Sequence, residues 1–224
     1  MEEVLQRALP PATRQRDPGW RDPGLYHVVL FGSPAGEGSW GFRLEGHHLS
    51  VNAVVTRDRV VSTTPLFFGA SPAEAPSNGG GRLRPLGRQE DLARSLLTGL
   101  RAAVSRHAQV SSRAPGDIRQ GPRRVAGPIG RGATLASMSE ESRTRFWALV
   151  EAWTANARAR PAASALATLR ATDPLRIRFA WEGSPRPGLP HAYTIEAPTA
   201  VFEYVNRGNH VHAVWRAPEG DFGR

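Results

Sequence analysis

The sequence predicts an α+β fold, in which a largely antiparallel sheet is built from strands at both ends of the chain around a central helical insertion of about three helices. Residues 26–68 and 176–216 contain alternating patterns and runs of β-branched and aromatic residues, which are typical of strands. Residues 88–171 instead repeat apolar side chains every three or four positions, as amphipathic helices do. This order of strands, helices and strands indicates a single α+β domain over residues 25–224.

The N-terminal part of the chain predicts an arm followed by a block of strands. Residues 1–24 are rich in proline and charge and contain Asp-Pro-Gly twice, so we expect an arm that carries turns outside the core. A hairpin turn is expected at 56–59, and a loop of Gly, Pro, Ser and Asn residues at 69–81 ends the block. The predicted strands cover 26–31, 40–45, 48–56 and 60–68.

The middle of the chain predicts three helices. The first covers 88–106, because leucine or valine recurs there at every fourth position. After a loop at 111–132, Ser137 and Glu140 form a capping box at the start of the second helix. Pro161 lies in the first turn of the third helix, which is rich in alanine. The apolar face of the second helix consists of Phe146, Leu149, Val150 and Trp153.

The C-terminal part returns to strand patterns, separated by turns that contain glycine and proline. The predicted strands cover 176–181, 191–197, 200–206 and 210–216. Because the two blocks of strands are far apart in sequence, long-range pairing must bring them into one sheet.

The composition limits the chemistry that the chain can perform. It has no cysteine, which excludes disulfides, thiolate zinc fingers, iron–sulfur clusters and a cysteine nucleophile. A metal would therefore have to bind to histidine and carboxylate side chains, and the chain has seven histidines. There is no apolar run of about 18 residues and no signal-peptide pattern at the start, so we expect a cytoplasmic protein with no membrane partner.

The positive charge of the chain is carried by arginine and is concentrated in its middle. The formal net charge is +9, and residues 82–131 alone contain eleven arginines against three carboxylates. This arginine-rich stretch has no Phe, Tyr or Trp on which bases could stack, and it shows no zinc-finger or basic-zipper pattern. The pattern favours a solvated basic face over a nucleic-acid partner.

The C-terminal strand predicts one polar face. Because side chains alternate along a strand, His210, His212 and Arg216 share a face, and Val211, Ala213 and Trp215 share the other. Two imidazoles on one side of a strand can bind a single cation, and with a third ligand they leave a coordination position open. The alternative is a pair of solvated histidines.

A second pair of histidines lies at positions 47 and 48. The alternation places His48 on one face with Ser50 and Asn52, so His48 is the stronger candidate ligand. His47 falls on the apolar face, where it is either a weaker candidate ligand, a residue that supports a ligand, or a core histidine bonded to a carbonyl.

Three further residues are candidates for catalytic roles. Glu203 stands in an otherwise apolar strand, where a buried carboxylate needs a cation, an arginine or a metal-bound histidine. Arg216 could hold a substrate carboxylate or phosphate, and Asp221 is close enough in sequence to fold back onto it. The simpler alternatives are an outward-facing carboxylate and a plain Arg–Asp ion pair.

The segments at 40–50, 64–70 and 209–216 resemble the family catalogued as domain of unknown function 3500. They carry Gly-His-His-Leu-Ser, Thr-Pro-Leu-Phe-Phe-Gly-Ala and Asn-His-x-His-x-x-Trp-Arg, in matching order, and the resemblance extends from about residue 26 to residue 223. It implies a shared fold and a shared site made from the Gly-His-His and Asn-His-x-His segments. It implies no particular reaction.

These observations predict a metal-dependent enzyme with a histidine-rich mononuclear site that binds iron, copper or zinc. An oxidoreductase acting on a small anionic substrate is slightly favoured, because Tyr204 and Trp215 lie near the proposed ligands in sequence. The alternatives are a zinc hydrolase, a metal-free enzyme in which His48 or His212 acts as a base near Glu203, and a noncatalytic ligand-binding protein.

Overall fold

The computed structural model of the chain describes residue 19 and residues 21–77, 80–121, 129–157 and 159–223. These residues form one large sheet and four helices, which confirms the predicted fold class. Most of the arm predicted at 1–24 lies outside the described residues. No helix in the described ranges is long and apolar enough to cross a membrane.

The large sheet contains eleven strands, and a short hairpin lies beside it. The strands are β1 (His27–Phe31), β2 (Ser39–Gly46), β3 (Leu49–Thr56), β4 (Arg59–Ser62), β5 (Leu66–Ala70), β6 (Ala75–Pro76), β7 (Arg82–Leu83), β8 (Gln109–Ser111), β9 (Ala133–Thr134), β10 (Arg178–Gly183), β11 (His191–Ala197), β12 (Ala200–Asn206) and β13 (Val211–Arg216). Their order is β1-β2-β3-β5-β13-β12-β11-β10-β8, with β4 on β3 and β9 on β10, while β6 and β7 pair separately. Because β5 pairs with both β3 and β13, it joins the N-terminal strands to the C-terminal ones.

The predicted strand at 60–68 is wrong as a single strand. β4 ends at Ser62 and β5 begins at Leu66, and Pro65 in the break has no N–H to donate to a neighbouring strand. The break lets the chain leave β4 and pair with β13. It also receives the C-terminal turn, because the N–H of Phe222 donates to the carbonyl of Thr64 at 2.9 Å.

Four helices occupy the central part of the chain: α1 (Gly87–Gly99), α2 (Ala102–Ala108), α3 (Glu140–Thr154) and α4 (Ala159–Ala171). The single helix predicted over 88–106 is wrong, because the chain is extended at Leu100 and Arg101. Glycine is a poor helix former, so Gly99 is a natural end for α1, and the break buries Leu100 in the core.

The start of α3 is capped by Ser139, not by the predicted Ser137. The hydroxyl of Ser139 accepts the N–H of Ser142 at 3.3 Å, whereas Ser137 belongs to the preceding 3-10 turn and donates to the carbonyl of Thr134. The predicted capping box is therefore wrong. The apolar face predicted for this helix is confirmed, because all four of its residues are buried: Phe146, Leu149, Val150 and Trp153.

The helices cover one face of the sheet, and three of the predicted site residues lie on the opposite face. Tyr204 and Trp215 belong to the helix-covered core. Alternation along β12 and β13 then places Glu203, His212 and Arg216 on the opposite face. Residues 119–121, which follow β8 in the chain, contact Glu203 and Arg216 on that face.

Candidate metal centre

Gly69 of β5 lies beneath two of the histidine rings. It pairs with His212 of β13 in the sheet, and on its other side its N–H donates to the carbonyl of His48 at 2.8 Å. A Cβ at position 69 would lie 2.6 Å from Cδ2 of His48 and 3.0 Å from Cδ2 of His212. The absence of a side chain at this position therefore lets the two imidazoles approach each other over β5.

The rings of His48, His210 and His212 direct nitrogen atoms at one another. Nε2 of His210 lies 2.8 Å from Nε2 of His48 and 3.0 Å from Nε2 of His212. One nitrogen from each ring can be chosen so that all three lie within 4.8 Å of one another. His48 is buried and the other two are partly buried. Such a set of donor atoms is suited to one small cation.

Hydrogen bonding alone accounts poorly for these contacts. The Nδ1 of His212 lies 2.6 Å from a carboxylate oxygen of Asp117, so this nitrogen donates, and in the ring with a single N–H the Nε2 of His212 carries a lone pair. A single N–H on Nε2 of His210 would then have to serve His48 and His212 at once. A metal ion would instead accept one lone pair from each ring.

Asp117 stands behind His212 as a carboxylate that orients the ring. A metal-bound histidine usually donates its second N–H to a carboxylate or carbonyl, which fixes the tautomer and raises the basicity of the ligand nitrogen. The 2.6 Å contact between Asp117 and His212 has this form. Sequence reasoning did not identify Asp117, although it is the only carboxylate in the loop predicted at 111–132.

The rings of His48 and His210 are held in the neutral form that binds metals. Burial, followed by repulsion from neighbouring His47 and His210, lowers the pKa of His48 to about 2, and burial with the neighbouring His212 lowers the pKa of His210 to about 4. Burial opposes the ionisation of Asp117, but hydrogen bonds, the strongest from His212, lower its pKa on balance. Metal ligation requires neutral imidazoles, so no proton has to leave His48 or His210 at neutral pH.

His48 lies in the turn between β2 and β3, not in the strand predicted at 48–56. Its φ is +62°, a left-handed conformation that is uncommon outside glycine and costs of order 1 kcal/mol or more. Strained residues persist where the surrounding structure holds them, and they cluster at functional sites. Here the conformation places the ring among the other two histidines.

His47, the second predicted ligand of this pair, packs beside the site. Its ring lies 3.7 Å from that of His48, centroid to centroid. Its backbone carbonyl accepts the hydroxyl of Tyr26 at 2.5 Å. Its nitrogens do not belong to the converging set found among the described residues.

Glu203 does not reach the histidines, because it binds the loop that carries Asp117. It is 1% exposed, and its carboxylate accepts the N–H groups of Arg119 and Gln120 at 2.8 and 2.9 Å. The guanidinium of Arg119 donates to both carboxylate oxygens of Glu182, at 2.8 and 2.7 Å. Burial raises the pKa of Glu203, although these N–H groups act in the opposite direction. The contacts fasten the loop to the sheet.

Arg216 and Asp221 form a buried pair with each other. Nε of Arg216 donates to Asp221 at 2.6 Å, and Nη1 donates to the carbonyl of Gly121 in the same loop. Asp221 also accepts the N–H of Ala217 at 2.9 Å. The pair holds the C-terminal turn and the loop end against the sheet, and it brings Phe222 to the wall of a cavity.

A cavity of about 400 Å³ opens beside His212 and Asp117. Its walls are mostly apolar, and its polar lining includes Arg43 and Glu45 of β2. Volumes of about 300–1,000 Å³ with apolar walls and a few polar groups are usual for small-molecule sites. The residues that form the apolar walls are Pro65, Phe67, Ile118, Val214 and Phe222.

Two aromatic residues expected near the ligands lie elsewhere. The hydroxyl of Tyr204 donates to Glu90 of α1 at 3.1 Å, and Trp215 stacks against Phe202 in the core. Both therefore face the helices, so this argument for oxidative chemistry is wrong. The aromatic ring beside the site is that of Phe67, 5.3 Å from the ring of His212, centroid to centroid.

Comparison with known proteins finds one matching family. The family model described as "Protein of unknown function (DUF3500)" matches residues 1–224. Searches of curated proteins and of solved structures find no significant match.

Proposed function

The chain belongs to the DUF3500 family, whose description assigns no reaction, and from that premise we propose that it is a metal-dependent enzyme acting on a small organic molecule. His48, His210 and His212 hold one transition-metal ion, and the substrate occupies the adjoining cavity. The observation that carries this proposal is the convergence of three imidazoles backed by Asp117.

The donor set suits iron, copper or zinc. Imidazole nitrogen is a good ligand for all three metals, whereas magnesium and calcium prefer oxygen. Three protein ligands leave at least one coordination position for a reactant, which is the usual difference between a catalytic site and a closed structural one. The cavity that we assign to the reactant is lined by His212 and by Asp117.

The reaction that the site supports best is oxidation of the substrate by dioxygen at a bound iron or copper ion. In the part of the chain that the structure describes, Asp117 is the one carboxylate that contacts the imidazole cluster, and His212 and the N–H of Ile118 already engage it. Hydrolysis at a metal often uses a free carboxylate as a general base, whereas dioxygen chemistry needs a redox metal and an open position. The mostly apolar walls suit an organic substrate.

Zinc-dependent hydrolysis is the second candidate, because three histidines are also the ligands of a well-known type of catalytic zinc site. A zinc ion held by these three rings would have no anionic ligand, so its full charge would be available to activate a water molecule for hydrolysis. A metal-free acid–base enzyme and a noncatalytic ligand-binding protein remain alternatives. The expected cytoplasmic location and solvated arginine-rich face belong to this proposal as well.

Nitric oxide tests for the open position without knowledge of the substrate, because it binds ferrous iron where dioxygen would. Protein reconstituted anaerobically with ferrous iron is expected to give a high-spin iron–nitrosyl signal in electron paramagnetic resonance. The variant His210→Ala/His212→Ala should give none. Bound iron without this signal would contradict a dioxygen site. Hydrolysis of p-nitrophenyl acetate by the zinc-loaded protein, but not by the metal-free or iron-loaded protein, would favour the second candidate.

A further inference from the structure

We infer that the cavity beside the histidines takes an elongated carboxylate with an apolar body, and that Arg43 binds the carboxylate group. This inference rests on the proposed function, since it names the substrate class of the same site.

Arg43 is held in place in a way that leaves the end of its guanidinium available. Its Nε donates to Asn52 at 2.8 Å and lies 3.3 Å from a carboxylate oxygen of Glu45. Its guanidinium carbon lies 5.2 Å from the ring centroid of Phe222 and 5.9 Å from that of Phe31. Among the described residues, neither Nη1 nor Nη2 has a hydrogen-bond partner. Two parallel N–H donors of this kind match the two oxygens of a carboxylate.

Arg216, the anchor expected from the sequence, is poorly suited to this role. It is 3% exposed, and both Asp221 and the carbonyl of Gly121 already engage it. The side chain of Arg43, in contrast, is 31% exposed and lines the same cavity. A substrate would have to break the buried pair to reach Arg216, whereas it could bind Arg43 directly.

The sheet sets the length of the ligand. Arg43 lies on β2 and His212 on β13, and β3 and β5 lie between them. Three steps of about 4.8 Å between neighbouring strands place the backbones of β2 and β13 roughly 14 Å apart. A short acid such as acetate, bound to Arg43, would leave most of the cavity of about 400 Å³ unfilled. An acid with an apolar chain or ring would fill more of it, and Phe67, Val214 and Ile118 would contact that part of the ligand.

The charge around the cavity also favours an anion once the metal is bound. Arg43 and Arg216 balance Glu45 and Asp117 in the lining, and imidazoles that ligate a metal are neutral. A divalent ion would therefore leave the site with a net positive charge. The carboxylate end would bind Arg43, and the apolar body would lie towards the metal.

Hydrocinnamate and its neutral amide form a matched pair of probes for this inference. Calorimetry on zinc-loaded protein is expected to show hydrocinnamate binding at least about tenfold more tightly than hydrocinnamamide, with acetate weaker than both. Arg43→Gln should abolish the preference for the acid, Arg43→Lys should restore part of it, and Arg59→Gln, at an exposed arginine outside the cavity, should leave it unchanged.

The zinc content and circular dichroism of the same samples separate the two proposals. Three results from folded, zinc-loaded protein would overturn the role of Arg43 and leave the metal site unaffected. These are equal binding of the amide and the acid, binding of neither, and a preference for the acid that persists in Arg43→Gln. Protein that holds no zinc yet prefers the acid through Arg43 would support the carboxylate site and contradict the metal enzyme.

Discussion

Asp117 is the residue whose contribution to the metal site is easiest to isolate, because it contacts His212 but is not one of the three candidate ligands. Replacing it with alanine should leave the fold intact and weaken metal binding by about 10- to 100-fold, since His212 would lose the group that fixes its tautomer. Competition with a chromophoric chelator measures the affinity. Asp58→Asn, in the exposed turn between β3 and β4, is the control, and equal affinities in the two variants would show that Asp117 has no such role.

Gly69 tests whether the rings need the space over β5. In Gly69→Ala the new methyl group would lie 2.6 Å from Cδ2 of His48, so the rings must separate and metal affinity should fall by more than about tenfold. Gly38→Ala, where a Cβ would meet nothing within 4 Å, should bind as the wild type does. The same chelator competition and a thermal melt distinguish loss of the site from loss of the fold. Unchanged metal affinity in Gly69→Ala would contradict the geometry described here.

The lowered pKa of His48 predicts how stability changes with pH in the metal-free protein. Its pKa falls from 6.5 to about 2 on folding, so below about pH 6.5 the unfolded chain binds a proton that the folded chain does not. Stability should therefore fall as the pH falls, by about 1 kcal/mol for each pH unit from this residue. His48→Asn, which retains a side chain tolerant of positive φ, should lose less stability between pH 6.5 and 5 in urea titrations. Equal slopes would contradict the burial of a neutral ring.

The sequence identified the three histidines of the candidate site but not Asp117, the residue that orients His212. Short motifs and alternation singled out His48, His210 and His212, although only His212 lies in a strand, while His48 lies in a turn and His210 directly precedes β13. Asp117 belongs to an irregular loop, whose path depends on tertiary contacts and has no periodicity. The roles suggested for Glu203 and Arg216 stay predictions, and the structure shows Glu203 among backbone N–H groups of that loop.

At the scale of elements, the loop that carries Asp117 is fastened to the sheet by Arg119. Arg119→Met would leave Glu182 and Glu203 without their guanidinium partner, so we expect a loss of about 1–3 kcal/mol in the free energy of unfolding and weaker metal binding. Urea titration measures the first effect and chelator competition the second.

A double-mutant cycle provides the control for this loop. The pair Arg119→Met/Glu182→Met should cost less than the sum of the two single changes, because each single change leaves a charge unpaired. Additive losses, or unaltered metal affinity in Arg119→Met, would show that the loop is held by other contacts.

Most elements could be predicted from periodicity, and the errors occurred where a break was decided by packing. The strands at 191–197 and 200–206 have the predicted bounds, because alternation and flanking turns are strong signals. The break between α1 and α2 has only Gly99 as a local sign, and the pattern of leucines continues across it. The division of 60–68 depends on β5 pairing with β13, a contact that no local pattern encodes.

At the scale of the whole molecule, the candidate site depends on the union of the two blocks of strands. His48 belongs to the N-terminal block and His210 and His212 to the C-terminal one, and β5 brings the blocks together. The sequence predicted that a single sheet would form, which the structure confirms, but strand order had to come from the structure. A bound ion would link residues that are more than 160 positions apart in the chain.

Metal analysis of the purified, untagged protein tests the central claim most directly. We predict close to one equivalent of iron, copper or zinc per chain, either as purified or after reconstitution with each metal. The folded variant His210→Ala/His212→Ala should lose it, while the matched variant His27→Ala/His107→Ala, which removes two exposed histidines, should retain it. No stoichiometric metal in the wild type after reconstitution, or equal metal in both variants, would contradict the assignment of these three histidines as a metal centre.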